Sequence, residues 1–128
     1  VSTTLIAIPS EQPGGLLAPV GQHFGHCELF TLVEVKNGEV SGVTTLPNMP
    51  HEHGGCMAPV NYLAQNGVNA LIAGGMGMRP LMGFSQVGID VFLGEVGQPV
   101  SRAVEAFLSG GLRRFSPEFT CGGQDCGS

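Results

Sequence analysis

Apolar residues in this chain come in blocks whose spacing changes, and the changes mark the elements. Leu5 to Ile8 is an unbroken apolar run, which predicts a buried first strand. Pro9 to Gly21 contains Pro13-Gly14-Gly15 and Pro19 and reads as a loop. A loop of that length in a small domain is usually functional or mobile. Glu28 to Lys36 alternates around Phe30, Leu32, Val33 and Val35 as a strand, and Asn37-Gly38 is a two-residue hairpin signal. Glu39 to Leu46 then returns antiparallel as the third strand.

From Cys56 to Gln65 the period lengthens. Met57, Val60, Leu63 and Ala64 fit one helical face, Pro59 is tolerated in the first turn, and Asn66-Gly67 supplies a stop. Val68 to Ala73 is almost wholly apolar, as expected of a strand inside a parallel sheet. Gly74-Gly75-Met76-Gly77-Met78-Arg79-Pro80 reads as a glycine loop, and Leu81 to Val87 as a second helix with Met82 in the core. Asp90 to Leu93 is a last strand. Pro99 to Leu108 is a last helix, with Val100, Val104, Phe107 and Leu108 inward and Gly110-Gly111 beyond its end. After Arg114 the periodicity ends, which divides the chain into a domain over residues 1–115 and a flexible cysteine-containing tail over 116–128. The order β-β-β-α-β-α-β-α, with right-handed crossovers, predicts an α/β fold: one mixed five-stranded sheet with helices on both faces.

Composition narrows the classes. Only 12% of the 128 residues are charged, and 21 are glycine, which fits tight packing and tight loops. A formal charge of -5 without a basic stripe argues against a nucleic-acid binder. With no tryptophan and one tyrosine, the chain lacks a base-stacking platform. No apolar run is long enough to span a membrane, and the short one at the start ends at Pro9 without a basic lead-in, so it reads as a strand. Four cysteines without an export signal read as reduced thiols in a cytoplasmic protein.

Ligand chemistry concentrates in His51-Glu52-His53-Gly54-Gly55-Cys56-Met57, which packs two imidazoles, a thiol and a thioether beside two glycines. In an extended segment His51 and His53 point to the same side, and Gly54-Gly55 lets the backbone approach a bound group. Cys56 falls where a helix begins, and there the free amides and the dipole favour a thiolate. A second cluster is His23-Phe24-Gly25-His26-Cys27. The third candidate is the Gly74-to-Pro80 loop. Strand, glycine loop and helix together present amides to an anion, and Arg79 adds a permanent charge. Against these stand plainer roles: histidines solvated in polar loops, Cys27 as a small buried residue, and methionines as gap-fillers. Cys121 and Cys126, with four residues between them, receive no role.

These pieces together resemble the dinitrogenase iron–molybdenum cofactor biosynthesis family, which includes NifX-like proteins and the C-terminal part of NifB. The resemblance runs from Leu5 to about Leu112. It is carried by His23-Phe24-Gly25, the hairpin strands, His51-Glu52-His53-Gly54-Gly55, Gly67-Val68-Asn69-Ala70-Leu71-Ile72-Ala73-Gly74-Gly75 and Val104-Glu105-Ala106-Phe107-Leu108. It implies a ribonuclease-H-like fold that binds metal–sulfur clusters or their precursors. The family is not one of nucleases, and the first strand here has no carboxylate to hold a catalytic magnesium. It implies, as cofactor, a molybdenum–copper sulfide cluster or a related iron–molybdenum sulfide cluster. Where the family usually has arginine and a small residue after His-Phe-Gly, this chain has His26 and Cys27; where it often has aliphatic residues in the second glycine loop, Met76 and Met78 stand. Both departures add soft donors, which suit Cu(I).

The expectation is therefore a non-catalytic carrier or scaffold for a molybdenum-containing cluster. Binding falls to His23, Phe24, Gly25, His53, Gly54, Gly55, Cys56, Gly74, Gly75, Met76, Gly77, Met78 and Arg79. Direct metal ligands are sought among His53, His51, His26, Cys27 and Cys56. Its partners would be the cluster or thiomolybdate and a protein that donates or accepts it. The alternative is a zinc- or copper-ion-binding regulatory domain built on His51, His53 and Cys56, with the cysteine-containing tail as a further source of ligands. A thiol redox enzyme is disfavoured by the lack of a Cys-x-x-Cys pair, and no set of nucleophile, base and orienting group marks another enzyme.

Overall fold

A computed structural model describes residues 3–12, 14–21, 29–47, 57–75 and 78–115, with the side chains of 57–59 and 78–80 left aside. Its elements are β1 (Thr3–Ser10), β2 (Leu29–Lys36), β3 (Glu39–Pro47), α1 (Met57–Gln65), β4 (Ala70–Ala73), α2 (Met78–Val87), β5 (Asp90–Leu93) and α3 (Val100–Leu108). They form one five-stranded sheet in the order β3-β2-β1-β4-β5. β1 pairs antiparallel with β2 and parallel with β4; β2–β3 is antiparallel and β4–β5 parallel.

The hairpin follows from two residues. Asn37 and Gly38 both have positive φ, 53° and 82°, which is the mirror-image turn that matches strand twist. The β2–β3 register shifts at Glu34/Val35, and the hydroxyl of Ser41 donates to the Glu34 carbonyl at 3.2 Å. A β-bulge there bends the exposed edge strand β3.

Each sheet face carries its own core. On one, Ala7, Phe30, Leu71 and Val91 meet Val60 and Leu63 of α1 and Phe84 of α2. On the other, Ile6, Ile8, Val33 and Ile72 meet Val100, Ala103 and Val104 of α3. Phe107 closes that second layer edge-to-face on Phe92, ring centroids 5.1 Å apart. Gly67, at φ 81°, ends α1, and the Val68 amide bonds back to the Leu63 carbonyl at 3.2 Å.

Three expectations need correction. α2 starts at Met78 rather than Leu81, so Met78 and Arg79 belong to a helical first turn and not to a loop; Pro80 is tolerated there because first-turn amides have no intrahelical partner. Met82 is 55% exposed and Leu108 37% exposed, so neither is core. On α3 the inward stripe is Val100, Ala103, Val104 and Phe107, and Leu108 falls about 90° from its centre at 100° per residue. Phe115, beyond the last periodic residue, is buried, with its amide on the Val91 carbonyl at 2.9 Å.

The stretch from Glu11 to Gly21 is a stitched platform. Val100 and Ser101 donate to the carbonyls of Ala18 and Leu16, at 2.9 and 2.8 Å, and Val20 and Gln98 bond amide to carbonyl at 2.8 Å. A buried relay ties its near end down. The Gly15 amide donates to Thr31 Oγ1 (3.1 Å), Thr31 Oγ1 contacts Ser10 Oγ (2.9 Å), and Ser10 Oγ donates to the Ile8 carbonyl (2.7 Å). Because the single Ser10 proton goes to Ile8, the Thr31 proton goes to Ser10, and each donor of this relay is used.

Candidate functional site at the carboxyl edge of the sheet

Strand direction gathers the chemistry. β1, β4 and β5 run parallel, so Ser10, Ala73 and Leu93 end on one edge. Ser10 pairs with Leu29, the first residue of β2, and Leu29 with Pro47, the last of β3. All three helices also start at this edge, because each follows a strand that ends there. Ligands of open α/β sheets bind outside such carboxyl ends.

At the centre of the edge the backbone is tight. The Gly21 amide donates to the Pro9 carbonyl at 2.7 Å, and the Gly94 amide to the Ala73 carbonyl at 2.9 Å. A Cβ added at Gly74 would overlap Val96 Cγ2 and lie 3.4 Å from the Gly21 carbonyl oxygen. Gly74 is therefore a place of close approach, where Gly21, Gly74 and Val96 converge. Gly75 is buried beside it.

Of the predicted binding residues, Gly74 and Gly75 stand at this edge, and Met78 and Arg79 occupy the first turn of α2 immediately after it. His23, Phe24, Gly25, His26 and Cys27 lie outside the described residues, as do His51, His53, Gly54, Gly55, Cys56, Met76 and Gly77. The described flanks of these segments are informative. Residues 22–28 connect Gly21 to Leu29, 48–56 connect Pro47 to Met57, and 76–77 connect Gly75 to Met78. Every one of those flanking residues belongs to the same edge. Among the described residues there is no group of three metal-ligating side chains.

Helix starts at the edge are not equivalent. The first amides of α3 are spent on Ala18 and Leu16, so α3 offers no anion site through them. α1 and α2 begin directly after the histidine segment and the glycine loop. Basic charge is scarce. Of the five basic residues, Lys36 ends β2 at the opposite edge and Arg114 is engaged there with Asp90 at 3.2 Å, while Arg102 stands in the first turn of α3 and the Arg113 carbonyl accepts from the amide of Leu93, the last residue of β5. Arg79 is the basic residue that follows the glycine loop. The apolar groove of about 330 Å³ between α2 and Phe115, lined by Leu81, Met82, Ile89 and Val91, is also at the opposite edge.

Three residues at the site escaped the sequence reading. Gly21 and Val96 matter through their approach to Gly74, which only the folded chain reveals. Tyr62 donates from α1 to the carbonyl of Pro47 at 2.9 Å, across the base of residues 48–56. Its one available signal was an amphipathic ring on a short helix.

Comparison with known proteins agrees with this architecture. The family described as "Dinitrogenase iron-molybdenum cofactor" matches residues 3–110. An uncharacterised protein of Methanocaldococcus jannaschii is 34% identical over 95 residues, which is 73% of this chain and 80% of that protein. The apo form of the orange protein from Desulfovibrio gigas superposes with a TM-score of 0.77 at 25% identity, covering 88% of this chain and 93% of that one. A NifB-type protein from Thermotoga gives a TM-score of 0.74 at 29% identity, over 94% of this chain and 99% of that one. Among the described residues, no helix is long and apolar enough to cross a membrane.

Proposed function

Because this chain belongs to the dinitrogenase iron–molybdenum cofactor family, we propose that it is a non-catalytic carrier or scaffold for a molybdenum-containing metal–sulfide cluster, of molybdenum–copper or iron–molybdenum type. The cluster is its cargo. One observation carries the reading: the three segments that hold all four histidines, Cys27, Cys56 and Met76 are each flanked by residues of one sheet edge. Soft thiolate and thioether donors beside imidazoles suit a cluster with Cu(I).

A molybdenum sulfide cluster is anionic, and the charge of the chain is -5, so attraction must be local. Amides from Gly74 to Gly77, the starts of α1 and α2, and the Arg79 guanidinium supply it in this reading. His23, His53 and Cys56, with His51, His26, Cys27, Met76 and Met78, are the donors at the cluster's rim. A protein that delivers or receives the cluster is the implied partner.

Reconstitution tests the proposal. Metal-free protein is mixed with tetrathiomolybdate and Cu(I), then separated from small molecules by gel filtration. The expected result is protein that retains visible sulfur-to-metal absorption. Protein that emerges colourless, yet takes up one equivalent of zinc or copper, would instead support a bare-ion site.

A further inference from the structure

The two lateral borders of the sheet end differently. Beyond β5 the chain covers its own border: the Leu93 amide donates to the Arg113 carbonyl at 2.8 Å, and the Phe115 amide to the Val91 carbonyl at 2.9 Å. Beyond β3 no further strand pairs among the described residues. Val40 is 40% and Val43 37% exposed there, and Glu39, the first residue, is the only charged one of the strand. A long border strand without inner charges is a template for another strand.

The backbone of the inner strands shows which groups are free. The Leu5 amide donates to the Asn69 side chain and the Leu5 carbonyl accepts from the Asn69 amide, both at 2.8 Å, while the Pro9 carbonyl turns to the Gly21 amide. Their partners on β2, Glu34 and Phe30, therefore direct their backbone groups toward β3, as does Leu32 between them. Opposite these three stand Gly42, Thr44 and Leu46, so Val43 and Thr45 turn their amides and carbonyls outward. We infer that segment 42–46 pairs antiparallel with the same segment of a second copy, about a two-fold axis at Thr44.

The strand is complementary to itself in this register. Val43 exchanges both backbone bonds with the partner's Thr45, and Thr45 with the partner's Val43. Val43 lies opposite Val33, on the α3 side of the sheet, so its exposed side chain there meets the partner's Thr45, a favourable β-branched pair. The bulge at Glu34/Val35 falls before this segment and leaves it regular. The two Glu39 carboxylates fall at opposite ends, roughly 30 Å apart and well beyond the screening length. The carboxyl edges of the two sheets then point in opposite directions.

A contact through 42–46 is small, so the association is of the weak class. Sedimentation equilibrium of the full chain is followed up to about 1 mM, with amide exchange measured at the low and high ends. The expected result is a mass that rises from 13.2 kDa toward twice that value, with slower exchange at the Val43 and Thr45 amides. Thr44→Lys and Thr44→Glu each set like charges against each other on the axis. Each alone should be monomeric with a nearly unchanged melting temperature, and the two mixed should form a heterodimer. A wild-type chain that is monomeric at every concentration would overturn the inference and leave this border to an extended segment of another protein. Variants that self-associate like the wild type, or a mixture that stays monomeric, would overturn it as well. If the charged variants unfold, exchange at Val43 and Thr45 in the wild type decides: a dimer that leaves both amides unchanged contradicts the pairing.

Discussion

Arg79 is the basic residue that the fold sets after the glycine loop, in the first turn of α2. An anionic cluster held there would be offset by its guanidinium. Arg79→Glu is expected to weaken uptake of thiomolybdate and copper at least about tenfold, or roughly 1.4 kcal/mol, with the apo melting temperature nearly unchanged. A visible titration at two salt concentrations checks this; equal affinities at low salt would take Arg79 out of the site. Gly74 makes a different prediction. Gly74→Ala puts a methyl onto Val96 and should cost about 1 kcal/mol in urea unfolding, at the low end for overpacking because Val96 is only half-buried. Val96→Ala in the same chain should recover most of that loss. The glycine pair was legible as punctuation after a strand, whereas its neighbours were not. Gly21 and Val96 are about 50 and 20 residues away in sequence, and no local pattern predicts so distant an approach.

Among the elements, those set by local chemistry were readable. Asn37-Gly38 demanded a hairpin because both residues take positive φ, and Gly67 a helix end for the same reason. What the tertiary fold decides was not. The start of α2 was hidden by glycines and Pro80, and the loop from Glu11 to Gly21 gained its order from distant carbonyl bonds to α3. Those bonds also removed the start of α3 from the set of anion sites. Inward faces were misjudged where hydrophobicity and geometry disagree. Leu81 and Phe84 set the buried stripe of α2, and Met82 lies roughly 130° from its centre. Phe115 was missed because it follows the last periodic helix and packs by a single β-bridge next to it. Phe115→Ala should therefore cost about 3–5 kcal/mol, while removal of residues 116–128 shifts the melting temperature by little. Comparable losses from the two changes, in parallel thermal unfolding, would show that the terminal stretch packs on the domain.

At the scale of the molecule, both faces of one sheet carry an apolar core built without a metal ligand among the described residues. The metal-free chain, treated with chelator, should keep its far-ultraviolet dichroism and unfold cooperatively; a signal that emerges only on adding metal would signify binding coupled to folding, as in a structural zinc site. Sheet direction then explains why the described residues that flank the candidate segments, Gly21, Leu29, Pro47, Met57, Gly75 and Met78, share one edge. The family and the fold were legible in the sequence because the apolar blocks and the glycine stops between them follow the order of the strands and helices. The donor geometry was not, since it depends on loops whose residues carry no periodic signal. A visible spectrum with elemental analysis of protein purified from its own source tests the proposed cluster binding. The expected result is a coloured protein with sulfur-to-metal charge-transfer bands that contains molybdenum and inorganic sulfide. A colourless protein with stoichiometric zinc or copper and no inorganic sulfide would contradict it.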